Sequence, residues 1–255
     1  MQSQSSLFVK SLGKAFQVLD AFKLSGGTGR LSHADLVRLS GMDSSTVQRM
    51  THTLVEIGLL ERGPNKTYLL GRQFLTYSFE FLRSSPVVQL ATPILLDLRR
   101  ETGERVDLSL FNDVSIIYAV RRQSKRQTFH ATLIGRQVPT FASSGGRAMM
   151  AHLDRDARLD ILERSELRAF TPRTETDPDA ILAAVEQAAE AGYALCMEQI
   201  MLGEIVLACP ILSPQGAPLG AIHVSGSLSE WNPDEFCTRH APLAFSAAES
   251  VSGGL

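Results

Sequence analysis

The chain has 255 residues, is 44% hydrophobic and 20% charged, and carries a net charge of −2, an ordinary composition for a globular protein with room for two domains. No stretch reaches the roughly 18–20 uninterrupted apolar residues of a membrane helix, and Met1 to Ser6 lack the basic and apolar regions of a secretory signal. Three cysteines, Cys196, Cys209 and Cys237, show no CxxC spacing and read as reduced thiols, so a cytoplasmic protein without a membrane partner is expected.

The charge is uneven. Residues 1–72 hold nine Lys/Arg against five Asp/Glu, and residues 73–255 hold 16 against 22. A small basic unit joined to a larger acidic one suits a DNA reader carrying a sensor. In the basic part, Leu12, Ala15, Phe16, Leu19 and Phe22 recur at helical spacing and predict a helix near 9–23. Ser25 to Gly29 breaks it. Ser32 caps a second helix, with Asp35 in its first turn and Leu36, Val37 and Leu39 inward. Ser40-Gly41 turns into a third helix from about Asp43, with Val47, Met50, Leu54 and Ile57 on its packed face.

Ser45, Gln48, Arg49, His52 and Glu56 line the opposite face of that helix. A short helix, a tight glycine turn and a second helix make a helix-turn-helix, whose second helix enters the major groove. Gln48 suits adenine and Arg49 guanine, whereas Ser44, Ser45 and Thr46 suit phosphate oxygens. Strands over Leu59–Arg62 and Thr67–Leu70 then form a wing with Arg62 and Lys66 near its tip. The plainer alternative is a solvated helix face beside a packing hairpin. The combination within residues 1–72 favours double-stranded DNA as the partner.

Phe74, Leu75, Phe79 and Leu82 predict a connecting helix over 73–85, whose apolar stripe is either core or a meeting face for a second subunit. Pro86 starts another helix, ended by Gly103. Residues 86–255 then alternate: strands at Val106–Phe111, Ser115–Val120, Thr128–Leu133, Tyr193–Cys196, Glu204–Leu212 and Leu219–Ser225, and helices at Gly145–Leu153, Ala157–Glu163, Pro178–Ala191 and Pro233–Ser250. That is an antiparallel sheet flanked by helices, an α+β class. Periodicity alone does not name its ligand. The basic run Arg121 to Arg126 reads as a solvated loop, with attraction of an anion as the second reading.

These segments can be set against a family. Tyr68-Leu69-Leu70-Gly71 after the wing, Glu101-Thr102-Gly103-Glu104, Gly135-Arg136 with Val138-Pro139 and then Gly146-Arg147-Ala148, Ala191-Gly192-Tyr193, Ala208-Cys209-Pro210 and Val224-Ser225-Gly226 follow in order and spacing. The chain from Val9 to Ser250 resembles the IclR family of bacterial transcription regulators. The resemblance implies a winged helix-turn-helix joined by a linker helix to a GAF-like effector-binding domain, and a homodimer or dimer of dimers on a palindromic operator. It also implies a small carboxylate effector, plausibly aromatic. The pocket positions it implies are Ser143, Ser144, Gly145, Gly146, Cys196, Met197, Val206, His223 and Ser225. Cys196 and Met197 stand where an acid is common, so a less acidic, more apolar pocket is expected. The start of the helix carrying Arg147, with Ser143, His223 and Ser225 as donors, would hold the carboxylate.

Two other classes remain at this stage. A DNA-binding regulator without effector would use the second domain only to oligomerise. An enzyme would need Cys196, Cys209 and His223 as nucleophile and base, but no nucleophile elbow, P-loop or dinucleotide glycine pattern is present. No cofactor is expected, and His130, His152, His223 and His240 lack metal-ligand spacing.

Overall fold

The structure, a computed structural model, describes residues 7–27, 29–124 and 134–255. It comprises two compact units, Met1–Phe81 and Leu82–Leu255. The strand expected at Thr128–Leu133, and with it Lys125, Arg126 and His130, lies outside the described residues. Among the described residues no helix is long and apolar enough to cross a membrane.

The first unit runs α1 (Lys10–Asp20), β1 (Leu31–Ser32), α2 (His33–Ser40), α3 (Ser44–Glu56), β2 (Leu60–Arg62) and β3 (Thr67–Leu70). A capping box starts α2: Asp35 N–H donates to Ser32 Oγ at 3.2 Å, and Ser32 N–H donates to Asp35 Oδ2 at 3.1 Å. Gly41 ends the helix at φ 68°, a left-handed turn that a side chain would strain. Asp43 caps α3 by accepting from Thr46 N–H at 2.8 Å. Val18, Leu36, Val47, Leu54 and Leu60 form the core, each contributing roughly 1.5–3 kcal/mol by leaving water. The strands pair antiparallel in the order β1-β3-β2, with Leu31 opposite Tyr68.

One expected core position moves. Ile57 is 56% exposed, because α3 ends at Glu56 and the helical period stops with it. Thr51 is buried instead; its hydroxyl donates back to the Val47 carbonyl at 2.9 Å.

Helix α4 (Gln73–Ser84) has no buried residue, and the division between the units falls inside it. The second unit continues with α5 (Pro86–Thr102), β4 (Arg105–Asn112), β5 (Ser115–Arg122), β6 (Gln137–Pro139), α6 (Ser144–Met150), α7 (Arg155–Arg164), α8 (Pro178–Ala191), β7 (Ala194–Met197), β8 (Glu204–Leu212), β9 (Pro218–Ser227) and α9 (Pro233–Ser252). The six strands form one antiparallel sheet in the order β6-β5-β4-β9-β8-β7.

Both sheet faces are covered. Val106, Leu108, Leu207, Ile222 and Val224 pack against α5 and α9. On the other face Ile116, Ala208 and Ala221 pack with Ala148 and Met149 of α6 and Ala188 of α8. Helix α6 begins hard against the sheet: a Cβ on Gly145 would overlap the His223 ring, and one on Gly146 would overlap the Thr140 carbonyl oxygen.

Candidate functional site

Helix α3 presents Ser44, Ser45, Gln48, Arg49 and His52 to solvent, and Arg62 and Lys66 are exposed in the wing. Asn65 and Lys66 take φ of 54° and 57°, so the tip is a left-handed turn. The serines and threonine at the head of α3 are engaged. Ser45 and Thr46 hydroxyls each donate to the Asp43 carboxylate at 2.7 Å. Those bonds hold Asp43 well below the usual carboxylate range, the Ser45 hydroxyl having the largest effect. Ser44 Oγ and His33 Nε2 share a hydrogen bond of 2.9 Å across the turn. Arg72, just past the wing, is paired with Glu61 at 2.9 Å. Gln48, Arg49, His52, Arg62 and Lys66 thus stand outward beside these engaged groups.

The second unit holds a cavity of about 70 Å³ beside the start of α6. Ser143, Ser144, Cys196 and Val206, all implied by the family resemblance, line it. Tyr118, Val138, Ala142, Ile200 and Met201 add apolar wall. Charged groups join that wall: Arg105, Arg121 and Arg136 reach it with Glu198 and Glu204, on a lining that is apolar over most of its area.

Three of these groups, Arg105, Arg121 and Glu204, form a network with Asp107 behind the lining. Asp107, fully buried, accepts from Arg121 Nε at 2.7 Å, from Arg121 Nη2 at 3.0 Å and from Arg105 Nε at 3.0 Å. Arg105 Nη2 donates to Glu204 Oε1 at 2.7 Å. Arg121, read from sequence as part of a solvated loop, is 5% exposed and lies over the Tyr118 ring at 5.6 Å. Burial works against the charge of Arg105, but Asp107 and Glu204 raise it above its ordinary range. Burial likewise pushes the Tyr118 phenol up.

The remaining implied residues are placed differently. Met197 points away from Cys196 along β7 and is 41% exposed. Gly145 abuts His223 rather than open space, so a large side chain there would break packing instead of filling the cavity. His223 is fully buried, with Nε2 at 2.8 Å from Ser109 Oγ and Nδ1 at 3.4 Å from Ser144 Oγ. Burial lowers its pKa to about 4, so at neutral pH it is an uncharged, satisfied core group and not a cationic donor. Ser143 Oγ accepts from Gly146 N–H at 3.0 Å, which closes the first turn of α6. Ser225 lies opposite Arg105 on β4 and Val206 on β8, on the cavity side of the sheet. Among the described residues its buried hydroxyl has no hydrogen-bond partner, a condition that calls for a ligand or water.

Arg147 is buried and holds the edge of the cavity together. Its guanidinium donates to the Phe141 carbonyl at 2.7 Å and to Gln199 Oε1 at 3.1 Å. Thr171 and Thr174 hydroxyls donate to the Glu198 and Gln199 carbonyls.

The geometry gives no support to nucleophilic chemistry. His223 bonds to serines, not to a cysteine. Burial raises the thiols of Cys196 and Cys209, the latter to about 12, which disfavours the reactive thiolate. Among the described residues no cluster of His, Cys, Asp and Glu is placed to hold a metal.

Comparison with known proteins agrees with this division. The IclR helix-turn-helix domain model matches residues 11–64, and the bacterial transcriptional regulator IclR C-terminal model matches residues 79–253. The Pca regulon regulatory protein of Pseudomonas putida is 25% identical over 248 residues, covering 96% of this chain and 83% of that protein. The crystal structure of an IclR transcriptional regulator from Silicibacter is 28% identical with a TM-score of 0.83, covering 95% of each chain. An IclR homologue from Microbacterium hydrocarbonoxydans, solved with 4-hydroxybenzoate, is 23% identical with a TM-score of 0.77, covering 96% of this chain and 98% of that one. A DNA-reading head and a separate, covered sheet matched over nearly their whole length leave one assignment: the chain belongs to the IclR family of bacterial DNA-binding transcription regulators, and not to an enzyme family.

Proposed function

We propose that this regulator binds a palindromic operator as a homodimer or dimer of dimers, in the cytoplasm, and that a small organic acid in the second unit modulates the binding. The observation that carries the effector reading is the cavity itself. It brings the Arg105, Arg121 and Arg136 guanidiniums to one small space, with Ser225 paired across the sheet from the lining residues Arg105 and Val206. An arginine fork matches a carboxylate in shape and charge. On the DNA side, Gln48 and Arg49 read base edges, with His52 beside them, and Arg62 and Lys66 hold phosphates. Asp43 keeps Ser45 and Thr46 as cap residues of α3.

Oligomerisation is supported by apolar side chains left in water. Leu12 and Phe16 on α1, and Leu75, Tyr77, Phe79 and Phe81 on α4, are all more than half exposed. Single exposed apolar residues are ordinary, but a run of this kind marks an association surface.

The cavity also favours a size class. An apolar cavity of ~150 Å³ is what benzene occupies; about 70 Å³ is half of that. The effector we propose is therefore a short aliphatic acid rather than an aromatic one. Calorimetric titration of the full chain with acetate, pyruvate, succinate and 4-hydroxybenzoate tests this. At least one aliphatic acid is expected to bind, and more tightly than 4-hydroxybenzoate. Tighter binding of the aromatic acid would reverse the size assignment, and binding of none would remove the effector reading.

A further inference from the structure

We infer that Glu204 is an internal anion that occupies the effector's place on Arg105 and sets the concentration at which an acid can bind. This rests on the reading of the cavity as an acid site.

Two carboxylates hold the guanidiniums beneath that cavity, and they are not equivalent. Asp107 is fully buried, accepts three hydrogen bonds and does not line the open space. Glu204 does line it, and its side chain is 16% exposed. Its carboxylate accepts from Arg105 Nη2 at 2.7 Å. It stands at the first residue of β8, directly after Gly203 at φ 76°. Of the two carboxylates on Arg105, Glu204 is the one on the open side, so that pairing is the one an incoming acid can take over, with Arg136 also on the lining. The exchange keeps Arg105 paired with an anion while the Glu204 side chain turns toward solvent, so buried charge stays balanced.

If Glu204 remained in place, its negative charge would stand within a few ångströms of the ligand's. In a site of restricted water access such like-charge contact is strongly unfavourable. Either way, a ligand acid works against Glu204. The residue is also tied to the segment over the cavity. Its carbonyl accepts from Glu198 N–H at 2.8 Å, and Glu198, Gln199, Ile200 and Met201 line the same space. Displacing the side chain thus acts on the end of that segment as well as on Arg105.

Removing the charge of this lining residue is expected to strengthen binding. The full chain, Glu204→Gln and Glu204→Asp are titrated calorimetrically with acetate, pyruvate and succinate. For acids that bind the unaltered chain, Glu204→Gln is expected to raise affinity at least about tenfold, a change of ~1.4 kcal/mol or more. Glu204→Asp keeps the charge and is expected to stay within about threefold. Glu204→Ala carries the same expectation as Glu204→Gln, so failure of one variant to fold leaves the test standing. Unchanged or weaker binding in both uncharged variants, with the unaltered chain binding normally, would overturn the role of Glu204 while sparing the acid site. Absence of binding to every chain would overturn both.

Discussion

Asp107→Ala is expected to destabilise the second unit by about 3–5 kcal/mol, because it leaves two buried guanidiniums without their shared counter-ion. Arg105 and Arg121 are 12% and 5% exposed, so water cannot replace the three hydrogen bonds that Asp107 accepts. The single tryptophan, Trp231, lies in this unit and bonds to Glu104 at 3.0 Å; its fluorescence reports the unit's unfolding separately from that of the first. A loss of that size corresponds to a fall in Tm of roughly 6–20 °C for a unit of this length. Asp107→Asn keeps the shape and one acceptor but not the charge, and is expected to fall between the two. A change below about 1 kcal/mol for Asp107→Ala would show that the guanidiniums reach solvent, and the charged floor described for the cavity would be wrong.

Acid is expected to weaken the same unit through two buried histidines. His223 is enclosed by Ser109, Ser144 and Tyr118. His240 is enclosed by the Trp231 and Phe236 rings at 4.9 and 4.7 Å, and among the described residues neither ring nitrogen has a hydrogen-bond partner. Burial lowers each to about 4 from an ordinary 6.5, helped at His240 by Arg239. The unfolded chain takes up protons near pH 6.5 that the folded chain refuses until about 4. Stability contributed by keeping these groups neutral is complete above pH 6.5 and falls as pH drops through that interval. At pH 5 the loss is about 2 kcal/mol per histidine. Urea unfolding followed by circular dichroism at pH 7 and pH 5 measures it. His240→Phe, which keeps a ring among the aromatics, is expected to remove about half of the difference. An equal pH dependence in the variant would show that His240 does not titrate as described.

Much of the first unit is legible in the sequence, for a local reason. Ser32 with Asp35, Gly41 and Asp43 are capping and turn residues whose side chains or backbone freedom act within four positions. The error at Ile57 came from extending a helical period past the helix end. Strands β4, β5, β7, β8 and β9 are also readable, whereas β6 at Gln137–Pro139 and the buried ion-pair network are not. In Val106-Asp107-Leu108-Ser109 the alternation of apolar and polar residues looks like a half-solvated strand. Here both faces are covered, so Asp107 and Ser109 are fully buried. The partners that make burial tolerable arrive from other strands: Arg121 of β5 for Asp107, and Glu204 of β8 for Arg105, 99 residues away from it. No local pattern encodes a meeting over that distance. An inward aspartate beside two arginines in adjacent strands was the available signal.

The positions implied by family resemblance coincide only in part with the lining of the cavity. Ser143, Ser144, Cys196 and Val206 line it as implied, because the α6 start and the sheet face are fixed by packing. His223 drew attention as a titratable group on a pocket strand, yet its neighbours Ser109 and Ser144 make it a core residue.

The central claim is that α3 reads DNA sequence as part of a symmetric assembly. Selection of bound duplexes from a random pool by the full chain tests it most directly. The expected result is an enriched palindrome whose half-sites lie about one helical turn apart. On that palindrome, Arg49→Ala should cost roughly 1–3 kcal/mol and relax preference at one position per half-site, while Lys66→Ala weakens all duplexes alike. Failure of any sequence to be enriched, or an enriched sequence bound equally well after Arg49→Ala, would contradict the account.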